Sequence, residues 1–114
     1  MEDIIADAQA LGKKIADHPR MKAFMAAARA VAENEAAQAT LKKYQELTEK
    51  IRRLEFENKP IEVEDKHALA EAEAEVAGDD LLKRMMKCQT DYVEMMQHIN
   101  RAIDEASAAA YGAG

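Results

Sequence analysis

The chain has 114 residues, a net charge of −6 and only 4% aromatic residues. That length is one domain's worth, and the acidic balance disfavours a free-standing nucleic-acid binder, which carries a basic excess to displace counterions from phosphates. No apolar run approaches the roughly 20 residues that span a bilayer, and the acidic start MEDIIADAQA lacks the basic segment of a signal peptide, so a cytoplasmic protein without membrane contact is expected.

Hydrophobic residues make up 48% of the chain, but alanine supplies much of that share. Alanine buries little area, so the core is expected to be thin and the stability of a lone copy limited. Oligomerisation is the expected remedy. A single cysteine excludes an intrachain disulfide and fits a reducing compartment.

The first predicted helix covers residues 2–16, with Ile4, Ala8, Leu11 and Ile15 on one stripe and Ile5 beside it. Glu2 and Asp3 open it, and Lys13 and Lys14 stand near its end, which suits the helix dipole. Gly12 weakens it by up to about 1 kcal/mol relative to Ala and would permit a close helix crossing. Asp17-His18-Pro19 is a break and restart, with Asp17 or His18 as cap.

The second helix spans 19–33, with a stripe of Met21, Phe24, Ala28 and Val31. Asn34 reads as the cap of a third helix over 34–57, whose seam is Ala37, Leu41, Tyr44, Leu47 or Thr48, Ile51 and Leu54. Glu46 and Lys50 are spaced for an i,i+4 ion pair on it. A hinge at 58–63 contains Pro60. The fourth helix, 64–77, has a narrow stripe of Leu69, Ala72 and Val76 and contributes least to the expected core. Gly78 reads as its C′ residue, and Asp79 or Asp80 as the next cap. Continuity between the fourth and fifth helices is left open.

The fifth helix, 79–109, is the longest, and residues 110–114 read as a frayed tail. Leu82, Met85, Gln89, Tyr92, Met96, Ile99, Ile103, Ala106 and Ala110 alternate in steps of three and four, the heptad seam of a helix that packs lengthwise on others. About thirty residues rise roughly 45 Å at 1.5 Å each. The fold class read from this is all-α: an elongated antiparallel bundle of about five helices, with long third and fifth helices, in a single domain over 1–114 that forms oligomers.

The candidate interface residues all lie on the fifth helix: Leu82, Met85, Met86, Gln89, Tyr92, Met95, Met96, Ile99 and Ile103. Met85 and Met96 fall on the seam; Met86 and Met95 lie off it and better suit a second interface. Gln89 either sets register or stands half exposed at a bundle end. Tyr92 is the bulkiest seam residue and the expected anchor of a helix–helix contact.

Cofactor chemistry finds little purchase. Cys88 could act as a thiolate ligand, but an iron–sulfur cluster normally needs four thiolates, and an ordinary packing role is preferred. His18, His67 and His98 lie in separate elements, without zinc spacing. Glu94 and His98 share a helix face but do not form the Glu-x-x-His of a di-iron bundle. No phosphate loop or catalytic triad appears, so neither an enzyme nor a resident cofactor or metal is expected. The alternative is a metal or redox-cofactor carrier using Cys88, His98 and Glu94. Lys42, Lys43, Lys50, Arg52 and Arg53 on the third helix face an acidic supply at the hinge and fourth helix, either as docking zones or as solvated faces.

The segments IIADAQALGKKIADHPRMKAF, NEAAQATLKKYQELTEKIRRLE, the hinge PIEVED and DDLLKRMMKCQTDYVEMMQHINRAI together resemble the YlbF/YmcA family of bacterial competence regulators, including YheA-like proteins, from about Ile4 to Ile103. The resemblance rests on spaced hydrophobics and loop positions. It implies a small all-α protein that self-associates or joins related subunits and acts as a regulatory adaptor. Through an RNase complex, such proteins support RNase Y-dependent mRNA processing. Some family complexes carry iron–sulfur clusters on several cysteines; this chain departs there, having only Cys88.

Overall fold

A computed structural model describes residues 1–112 as five helices, with no strand among them. They are α1 (Glu2–Asp17), α2 (Pro19–Ala32), α3 (Glu35–Phe56), α4 (Val63–Gly78) and α5 (Asp80–Ala110). The all-α reading with long third and fifth helices therefore holds.

Polar side chains set the boundaries by satisfying amides that a helix start leaves without partners. His18 Nδ1 accepts from the Arg20 amide at 3.1 Å where α2 begins. Asn34 Oδ1 accepts from the Ala37 amide at 2.9 Å, as its position before α3 predicts. Asp79 Oδ1 accepts from the Leu82 amide at 3.0 Å. The break between α4 and α5 is therefore real, and Asp79 makes it.

Gly78 does not play the C′ role expected of it. It is the last helical residue of α4, and the turn falls on Asp79, at φ −92° and ψ 117°. The left-handed backbone occurs instead at Asn58, φ 56°, which turns the chain after α3. Replacing Asp79 by Ala is expected to cost about 1 kcal/mol of stability, read as a lower urea midpoint at unchanged m-value.

The fifth helix runs one residue past its expected end, to Ala110, before a turn at Tyr111 and Gly112. The rest of the expected tail, residues 113 and 114, lies outside the described residues.

The chain divides into two compact units, Ala27–Met86 and Met1–Ala26 with Lys87–Gly114. In the first, α3 and α4 pack as an antiparallel pair. Lys50 reaches Asp65 at 2.8 Å and Lys43 reaches Glu75 at 3.5 Å, so moving back along α3 advances along α4. Lys50 does not make the expected pair with Glu46. Asp65, its side chain only 14% exposed, is the drier and more favourable partner.

The core of this unit is Val31, Ala37, Val76 and Leu82, bordered by Leu41, Tyr44, Leu81, Met85 and Met86. Here α4 corrects its sequence reading. Ala72 and Val76 are both buried, because the narrow stripe of α4 lies against α3 and small side chains allow close approach. Gln38 Nε2 also donates to the Ala32 carbonyl at the end of α2.

The other unit is held differently. Phe24 of α2 stacks on Tyr92 of α5, with ring centroids 5.4 Å apart and planes 27° from parallel. Beside them, Arg20 Nη1 donates to the Asp91 carbonyl at 3.1 Å and approaches Glu94 Oε1 at 3.5 Å. Leu11, Ile15, Met21, Met95, Met96 and Ile99 are half-buried.

Candidate functional site along the fifth helix

The candidate interface residues fall into two groups. Leu82, Met85 and Met86 belong to the unit Ala27–Met86. Leu82 is fully enclosed by its own chain, at 0% exposure. It is a core residue, which corrects its place among the contacts offered to a partner; the heptad pattern marks a buried position without saying whose side chains bury it. Met85 and Met86 are half-buried against the same core. Met86 also lines a largely apolar groove of about 330 Å³ with Tyr44, Glu73, Val76, Ala77 and Lys83.

The second group, Gln89, Tyr92, Met95, Met96, Ile99 and Ile103, lies in the unit that contains α1. Tyr92 does anchor a helix–helix contact, and its partner is Phe24 of the same chain. Met95, Met96 and Ile99 are half-buried, Gln89 is exposed, and Ile103 remains 49% exposed. Gln89 lines a shallow depression with Thr90, Val93, Glu94 and Gln97, so the polar interruption of the seam faces solvent in one copy.

Burial is shared unevenly. The buried hydrophobic residues among those described are Ala27, Val31, Ala37, Ala72, Val76 and Leu82, all within Ala27–Met86. The unit formed by α1, the start of α2 and α5 from Lys87 has none. It leaves Ile4 62%, Ile5 49%, Met25 53%, Val93 43% and Ile103 49% exposed. Sequence reasoning gave α1 an apolar stripe but did not single it out as a surface. The signal was present in Gly12, an unfavourable helix residue on the flank of that stripe, on the side of Ile5.

The groups weighed for metal or redox chemistry do not converge. Cys88 is a free, half-buried thiol. His98 Nε2 lies 4.0 Å from Glu94 Oε1, an exposed i,i+4 pair. No cluster of three or more His, Cys, Asp or Glu side chains suited to a metal ion occurs among the described residues. No helix among them is long and apolar enough to cross a membrane.

The described residues thus form an all-α fold that leaves large apolar side chains of α1 and α5 exposed. Residues 4–106 match the family described as control of competence regulator ComK, YlbF/YmcA, and the chain belongs to that family. Among solved structures it is similar to RicA of Bacillus subtilis, crystallised in complex with RicF. The TM-score is 0.74 and the identity 12%, over 98% of this chain and 97% of that one. At that identity the likeness speaks for the fold alone. None of the curated proteins matches. Family membership supports a regulatory adaptor role.

Proposed function

We propose that this chain is a non-enzymatic adaptor that acts by self-association and by contact with related family subunits, through the apolar edge of α5 beyond Lys87. The carrying observation is the uneven burial. One unit encloses a core of its own, whereas the unit built on α1 and the C-terminal part of α5 encloses no residue fully and exposes several large aliphatic side chains. Covering such surface is worth roughly 25 cal/mol per Å² of apolar area, enough for a modest patch to drive association.

The working residues are Met95, Met96, Ile99 and Ile103 as apolar contacts, with Gln89 fixing register at the polar end of the seam. Related subunits are natural partners because a homologous fold presents a homologous edge. RicA, whose fold is similar, is found in complex with RicF. An RNase-containing assembly is the wider complex in which such an adaptor would work.

Co-expression of a tagged and an untagged copy, together with family subunits from the same cell, tests this. The untagged copy or a family subunit is expected to co-purify in stoichiometric amount. A tagged chain recovered free of both would contradict the proposal.

A further inference from the structure

We infer that α1 is a lid on the apolar edge of α5: it swings about His18 and uncovers Met96 and Ile99, while the rest of the chain keeps its fold. The inference rests on the adaptor reading above and adds the step that makes that edge available.

Three of the four apolar residues assigned to partner contact, Met95, Met96 and Ile99, are half-buried within one copy. The chain itself therefore covers part of the surface a partner would use. These residues share a compact unit with α1 and the start of α2. The contacts of α2 give the direction of the chain there. Phe24 meets Tyr92, and Arg20, one turn earlier, donates to the Asp91 carbonyl and approaches Glu94. A helix carbonyl points towards the residue four positions on, so Arg20 reaches α5 beyond Tyr92. The start of α2 thus runs antiparallel to α5, and the residues before Pro19 arrive past Glu94, where Met96 and Ile99 lie.

The two covering segments are held very differently. The start of α2 is pinned by the ring stack and by the Arg20 hydrogen bond. Among the described residues, no hydrogen bond or ion pair joins α1 to another helix; the Met1 ammonium meets only Asp3, in the same turn. Leu11 and Ile15 of α1 are half-buried, and residues 1–10 are all exposed. The joint is also loose. His18 is extended, at φ −70° and ψ 139°, and Pro19 has no amide hydrogen with which to carry the bonding of α1 into α2. Gly12 lowers the helical stability of α1 further. Segments with so few buried contacts open without global unfolding.

Two measurements on the full chain test the lid: hydrogen exchange of the dilute parent by mass spectrometry, and sedimentation equilibrium of the Leu11→Ser/Ile15→Ser double variant. Once off α5, a lone helix of 16 residues is marginal, so α1 peptides are expected to exchange well before those of α2, α3 and α4. Protection of α1 equal to that of α2 overturns the lid. The double variant removes the apolar hold of α1 and alters no fully buried residue. Its dissociation constant is expected to fall by about three- to tenfold, because a lid that is mostly closed lowers apparent affinity in proportion to the open fraction. An unchanged or raised constant overturns the lid, since α1 would then cover nothing or would itself belong to the contact. Parent and variant that both stay single copies contradict the adaptor reading. In that case, or should the variant misfold, the order of exchange decides the lid by itself.

Discussion

Leu82→Ala is expected to cost about 3 kcal/mol, the largest loss for any single truncation in the chain. Leu82 is fully buried and is the largest side chain so enclosed. Its neighbours in the core are Val31, Ala37 and Val76, with Leu41, Tyr44 and the methionines at the border. Truncation removes three carbons and leaves a void that these small residues cannot collapse to fill. Comparable buried Leu→Ala changes cost roughly 2–5 kcal/mol, in proportion to the cavity left. In a domain near 100 residues, each kcal/mol moves the melting temperature by roughly 4–8 °C, so a fall of more than about 10 °C is expected. Calorimetry or far-ultraviolet dichroism on dilute protein measures it. A loss below about 1 kcal/mol would show that Leu82 is not the centre of the core.

The second large effect falls on association and spares the fold. Ile103→Glu is expected to weaken self-association by ten- to a hundredfold. Ile103 is 49% exposed within one copy, so the folded monomer loses little when it is replaced. In an interface the same change forfeits apolar burial of about 1–2 kcal/mol and adds the cost of drying a carboxylate. Each 1.4 kcal/mol is a factor of about ten in the dissociation constant. Concentration-dependent sedimentation velocity reads the shift, and the thermal midpoint of the dilute variant is a control that should move by no more than a few degrees. Leu82→Ala and Ile103→Glu thus separate the two jobs of one helix. Its first turns complete a core, and its later turns offer an edge.

The contrast also explains which features could be read in the residues. The three-four alternation from Leu82 to Ala110 does mark a continuous helix, because burial periodicity follows from helix geometry wherever the burying surface comes from. The same pattern is silent on the source of that surface, and Leu82 and Ile103 look alike in it. Asn34 was legible as a cap, and Asp79 as one of two candidates with Asp80, because a cap acts within three residues. Lys50 was not legible. Its i,i+4 neighbour Glu46 was visible in the sequence, whereas Asp65 comes within reach only once α3 and α4 pack together.

Ala72 and Val76 on α4 were undervalued for a related reason. An alanine-rich stripe has a weak hydrophobic signature, yet small side chains let helices come close, and α4 supplies two buried positions. On α1 the stripe read from the sequence is covered only in part: Leu11 and Ile15 are half-buried, whereas Ile4 and Ile5 stay largely open and Gly12 faces free space.

In a single copy the α1–α5 unit leaves large apolar side chains unenclosed. Light scattering coupled to size-exclusion chromatography, over a range of micromolar concentrations, tests this most directly. The expected mass is that of at least two chains, shifting towards one on dilution and in Ile103→Glu. A well-folded species with the mass of one chain throughout that range, unaffected by the substitution, would contradict it.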